Sequence, residues 1–215
     1  MSRNTPSWLR TSPLLLIVGL CLAIPAAAAT TTSSTETVAK LKTSMALRDL
    51  WVEHAFWIRS YVLATHAGDE AQSKVAQDEV VENAKELAGT IKPYYGQAAA
   101  DSLLKLLAGH WAAVRDFNTA LVERSHPGRD KAANAITANA HEIAKFLSGA
   151  NPYLPEDSVF GLLAAHGAHH MAQSNQVAAN DFVSEARTWH AMRHHMLTIA
   201  DSIAGALEKQ FPDRF

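Results

Sequence analysis

Two short strings concentrate this chain's coordinating chemistry: HGAHHMAQ at His166–Gln173 and WHAMRHHM at Trp189–Met196. Each places three histidines and at least one methionine within eight positions. A neutral imidazole offers one lone pair and one N–H, so histidine serves equally as a metal ligand or as a link in a hydrogen-bonded network. Histidines four apart, such as His166 with His170 and His190 with His194, share a helix face and can chelate one ion. What they do depends on the elements that carry them.

Those elements read as helices. Ser33 with Glu36 three residues on forms a capping box. Apolar residues then recur at threes and fours through Leu41, Met45, Leu47, Leu50, Trp51, Ile58 and Val62, which predicts a helix ending at Gly68. Asp69 with Gln72 starts a second helix that KPYYG (Lys92–Gly96) breaks. A third is expected from about Ala98 to SHPGRD (Ser125–Asp130), and a fourth from Lys131 to the two prolines of ANPYLPED. The fifth runs from near Asp157 through Val177, and the sixth from Asn180–Asp181 nearly to the C-terminus. No strand pattern competes, and the connections are short. The expected fold is all-α, an antiparallel up-and-down helical bundle.

Against that pattern the histidines take on position. His54 interrupts the apolar stripe of the first helix, and His110 does the same among Leu103, Leu106, Leu107, Val114 and Phe117. His166 follows Val159, Leu162 and Leu163, while His195 lies with Met192, Met196, Ile199 and Ile203. Four helices thus each bring one histidine toward the core.

Depth is independent of stripe. In an antiparallel hairpin, residues equally far from the turn lie at one height, at about 1.5 Å per residue. His166 and His195 are symmetric about the Asn180–Asp181 turn, and His54 reflects across Gly68–Asp69 onto Asn83. His110 reflects near Ser125–His126 onto His141. The result is a polar layer across an apolar bundle. A buried imidazole without a partner costs about 1–3 kcal/mol, so the layer must bond internally or give its lone pairs to a cation. Both readings stand on the sequence, and the cation is preferred because bundle interiors commonly host metal sites built from facing helices.

The candidate ligands are His54, His110, His166 and His195, with His141, His169, His170, His194 and Met196 as possible additional or outer ligands. Asn83, Arg59 and Asp201 are the candidates for holding the ligands in place, since ligating histidines usually donate their second N–H to an acceptor. Three or four imidazoles without thiolate suit zinc or copper. A carboxylate-bridged di-iron centre would require Glu-x-x-His pairs on two helices, which the chain does not supply. Covalent c-type haem lacks its Cys-x-x-Cys-His string, and haem held by His and Met is disfavoured beside a cluster of imidazoles. No phosphate loop or Gly-x-Ser-x-Gly string is present. A metal enzyme would need an open coordination position and a cleft, and the sequence marks neither.

The N-terminus carries an export pattern: Arg3 and Arg10, the apolar run PLLLIVGLCLAIP, then AAAAT. We expect residues 1–29 to be a cleaved signal peptide and 30–215 a single helical domain in the periplasm, without a stable membrane anchor. The sole cysteine, Cys21, lies in that leader after Leu20, too large a residue for a lipoprotein cleavage site. Without Arg3 and Arg10 the balance is 17 basic to 21 acidic residues with no basic run, which argues against nucleic-acid binding.

LRDLWVEHAFWIR, IKPYYG, ANPYL and HHMLTIADSIAGALEKQFPDRF together resemble a bacterial family of small helical proteins with Leu-Trp-x-x-His-x-x-Trp-x-Arg near the start and Gln-Phe-Pro near the end. The resemblance spans nearly the whole chain after the leader. It implies that His54, Arg59, His110, His166, His195 and Asp201 are shared positions, and that a carboxylate stands where this chain has His141. It implies no particular biochemistry. The expected function is storage, buffering or delivery of copper or zinc, with a periplasmic metal-handling partner. The alternative is a non-metallic interaction or small-ligand module stiffened by a polar histidine layer.

Overall fold

The computed structural model describes the backbone from residue 27 to residue 215, with side chains from residue 36 onward; residues 1–26 of the expected signal peptide lie outside the described residues. Seven α-helices follow one another: α1 (Ala27–Ala67), α2 (Glu70–Gly89), α3 (Lys92–Tyr95), α4 (Gln97–Val122), α5 (His126–Ala150), α6 (Glu156–Ala178) and α7 (Phe182–Gln210). A 3₁₀ turn, Pro212–Arg214, ends the chain. Among the described residues there is no strand, and no helix is long and apolar enough to cross a membrane.

The six long helices form three hairpins, α1–α2, α4–α5 and α6–α7. Each turn is built the same way. A residue in the left-handed region ends the first helix, at Gly68 (φ 74°), Arg124 (φ 56°) and Asn180 (φ 57°). The next side chain caps the second helix: Asp69 accepts from the Gln72 N–H, Ser125 from Gly128 and Asp181 from Ser184. The hairpins are antiparallel. Thr65 meets Ser73 beside the first turn while Leu50 meets Asn83 far from it, and in the third hairpin Gln173 meets Glu185 while Leu162 meets His195. Laterally, α2 packs on α4, α5 on α6 and α7 on α1, which closes the ring.

Three boundaries depart from the sequence reading. Helix α1 begins at Ala27, so Ser33 and Glu36 lie inside it, and Glu36 instead accepts from Lys40 Nζ at 2.7 Å. The alanine-rich stretch before Ser33 favours continuing the helix. Leu41 and Met45 are exposed, because reflection across the Gly68 turn carries them beyond the end of α2. Helix α5 begins at His126 rather than Lys131, since Ser125 supplies the cap and Pro127 fits a first turn whose N–H groups need no intrahelical partner. Within KPYYG the chain makes the single turn α3 rather than a plain break.

The core is two apolar clusters. One contains Leu47, Trp51, Leu87, Leu103, Leu107, Ile143 and Leu163, and the other Ile58, Val62, Val80, Val114, Phe117, Ile136 and Val177. On α1, α2, α4 and α5 the two sets are separated by His54, Asn83, His110 and Asn139, all buried. A polar layer crosses the bundle at one level.

Candidate metal centre

His54, His110, His166 and His170 converge in that layer, each 5 % exposed or less. Each offers a ring nitrogen, and the four nitrogens lie within 4.8 Å of one another. The ring centroids of His54, His110 and His166 form a nearly equilateral triangle with sides of 5.9, 5.4 and 5.3 Å. His170 stands 5.8 Å from both His54 and His110 and 4.3 Å from His166. Its Nε2 is 3.1 Å from that of His166. Ligand nitrogens about 2.0 Å from a tetrahedral ion lie about 3.3 Å apart.

The positions follow from local structure. His54, His110 and His166 each lie on the first helix of a hairpin, one turn after a buried residue: Trp51, Leu107 and Leu163. These three floor a small cavity against the imidazoles. Gly167, next to His166, has no Cβ, and one placed there would stand 2.5 Å from Ile136 Cγ2. That absence lets α5 close over α6 at the level of the site.

The polar surroundings hold the ring helices. Asn83 Nδ2 donates to the Leu50 carbonyl at 3.0 Å and Asn139 Nδ2 to the Leu106 carbonyl at 2.9 Å, each carbonyl one turn before a ring histidine. The Asn83 and Asn139 side chains also lie against His54 and His110 and partly offset the burial of those rings. Burial dominates nonetheless. It lowers His54 to about 3, with His110 adding repulsion, and His110 to about 4. His166 and His170 fall well below the usual imidazole value through burial first and repulsion from neighbouring imidazoles second. All four rings are therefore neutral at pH 7, the form that binds metals.

Neutrality leaves the layer short of partners. His54 Nδ1, His110 Nε2, His166 Nδ1 and His170 Nδ1 are buried without a hydrogen-bond partner. A purely structural polar layer would normally be satisfied. His166 and His170 meet through Nε2, so their unpartnered Nδ1 atoms are not the nitrogens that converge.

Of the expected ligands, the structure brings together His54, His110 and His166, and the fourth place belongs to His170. His195 lies outside the group: its Nε2 is 2.7 Å from the Leu162 carbonyl, to which it donates. It occupies on α7 the post that Asn83 and Asn139 hold on α2 and α5. One core histidine per helix puts His170 among the additional or outer ligands; the structure instead takes two rings from α6, His166 and His170, one turn apart. His169 is half-buried against the His195 ring, at 5.4 Å. His190 and His194 are exposed, and Met196 is fully buried in the apolar cluster with Met192.

His141 is a correction. It is exposed, 3.8 Å from Glu156 and 5.0 Å from the Phe160 ring. The turn between α4 and α5 is centred at Arg124–Ser125, so the residue opposite His110 is Asn139. Glu123 to His126, the one Glu-x-x-His string, spans this turn and supplies no helical pair. Asp201 is a second correction: it is exposed and accepts both contacts of the Arg48 guanidinium, at 2.6 and 2.7 Å. The Arg59 guanidinium pairs with Glu185 rather than with a histidine. It donates to both oxygens of buried Glu185, at 2.6 and 2.8 Å, and Gln173 Nε2 donates to the same carboxylate at 3.1 Å.

Fold and site together define a helical bundle with a buried four-imidazole centre. No family model matches the chain, and neither the curated proteins nor the solved structures hold a match.

Proposed function

We propose that the four-imidazole centre is a transition-metal site and that the protein holds copper or zinc in the periplasm, for storage, buffering or delivery. One observation carries the reading: four buried imidazoles from three helices each bring a ring nitrogen within 4.8 Å of the others, with no thiol or carboxylate among them. An all-nitrogen set without thiolate or carboxylate suits zinc and copper rather than calcium, magnesium or an iron–sulfur cluster. His54, His110, His166 and His170 would hold the ion, each through one ring lone pair. A full set of four protein ligands leaves no position for substrate, which favours holding an ion over Lewis-acid catalysis.

The test is titration of the purified, chelator-treated protein with Zn²⁺, and with Cu⁺ under reducing conditions, by competition against a chromophoric chelator. One equivalent should bind. His54→Ala combined with His110→Ala should lose more than 100-fold in affinity, while His141→Ala should bind as wild type. Equal binding by the double variant would move the ion elsewhere. Uptake of neither ion would return the cluster to a structural layer.

A further inference from the structure

His54, His110 and His166 stand at equal intervals of 56 residues, and the interval is not confined to histidines. The carbonyls one turn earlier belong to Leu50, Leu106 and Leu162, and each accepts from a side chain 33 residues on: Asn83, Asn139 and His195. The three left-handed turn residues, Gly68, Arg124 and Asn180, keep the same interval. So do the caps Asp69, Ser125 and Asp181. Val80, Ile136 and Met192, all buried, repeat it on the second helices. A left-handed residue other than glycine is uncommon. Its recurrence at one spacing, with the same cap and the same side chain to carbonyl bond, is a repeat without insertion or deletion.

We infer that the chain is three tandem copies of one helical hairpin closed about a pseudo-threefold axis, that His54, His110 and His166 form an equivalent ring around that axis, and that His170 is an added axial ligand setting the coordination number. The near-equilateral triangle of ring centroids is the geometric expression of the repeat. His170 is where the symmetry breaks. The first two hairpins fill its position with Ile58 and Val114, both buried in the same apolar cluster. The third puts an imidazole there, equidistant from His54 and His110. A ring of three imidazoles with an aliphatic plug would leave a fourth position for water or an anion, whereas His170 closes it. The roles of ring and axial ligand rest on the metal reading; the repeat does not.

Co²⁺ is the probe, because its visible absorption reports coordination number and exogenous ligands. In His170→Val, which installs the second hairpin's residue, Co²⁺ should still bind, 10- to 100-fold more weakly. Its spectrum should respond to added azide, while that of wild type should not. His54→Ala, His110→Ala and His166→Ala should each lose more than 100-fold and agree within about threefold. A His170→Val spectrum identical to wild type, or complete loss of binding equal to the ring variants, would overturn the axial role. If wild type takes up neither Co²⁺, Zn²⁺ nor Cu⁺, the metal reading fails by itself, and melting of the metal-free proteins still judges the repeat. There His170→Val should melt at or above wild type, since valine suits the equivalent position of the second hairpin, and a drop of more than 5 °C would count against equivalence.

Discussion

Acid should unfold the metal-free protein over a narrow interval near pH 5. In the folded state burial holds His54 at about 3, His110 at about 4, and His166 and His170 well below 6.5. The same rings titrate near 6.5 once the chain is unfolded. Folded values lie below unfolded ones, so below pH 6.5 the unfolded state binds more protons, and stability falls with pH down toward the folded values. Each pH unit below 6.5 removes about 1.4 kcal/mol per ring kept neutral. His54 and His110 alone therefore cost about 3 kcal/mol at pH 5.5 and about 5 kcal/mol at pH 4.5, and His166 and His170 add in the same direction, against an ordinary domain stability of roughly 5–15 kcal/mol. Urea unfolding followed by far-ultraviolet circular dichroism, at half-unit steps from pH 7.5 to 4.5 in chelator, measures the slope. It should approach four protons in wild type and three in His170→Val. A slope below one proton, or an unchanged urea midpoint at pH 5, would refute four neutral buried rings.

Arg59→Ala strands the Glu185 carboxylate, 1 % exposed, with Gln173 as its remaining partner, and should cost about 3 kcal/mol in urea unfolding. Replacing Arg59 and Glu185 together by methionine should recover most of that, and a single-variant loss under about 1 kcal/mol would contradict the burial argument. His195→Asn should change stability by less than about 1 kcal/mol, because asparagine makes the corresponding bond in the other two hairpins. Its metal affinity should match wild type, and a tenfold loss would make His195 a ligand after all. Gly167→Ala pushes a Cβ against Ile136 Cγ2 and should destabilise by about 1–3 kcal/mol. Thermal melts in a double-mutant cycle with Ile136→Ala should show the two changes to be non-additive.

Period and punctuation made the helices legible in the chain. Asp69 and Asp181 stand where local side-chain to backbone bonds dictate a start, and Gly68 where only a left-handed residue ends a helix cheaply. The histidine level was legible too, because reflection across a tight turn is arithmetic: His54 onto Asn83 and His166 onto His195 both hold. The same arithmetic misplaces His141 when SHPGRD is taken wholly as loop, because that moves the turn centre by one residue. The 56-residue interval is readable as well, yet only Leu50, His54 and Ala88 keep their identity in both later copies; what recurs is burial, φ and bond geometry.

By itself the sequence determined which residues are helical, where each hairpin turns and that imidazoles lie at mid-depth, since all of these follow from contacts within a few residues or across one turn. Only the tertiary structure decided that α1, α4 and α6 face one another, and so that the centre takes His170 while His195 supports the Leu162 carbonyl. Two stripe histidines on neighbouring helices are equivalent in period and depth. Which of them points along the axis depends on the rotation of each helix in the closed ring, and that is set by the packing of all six long helices at once.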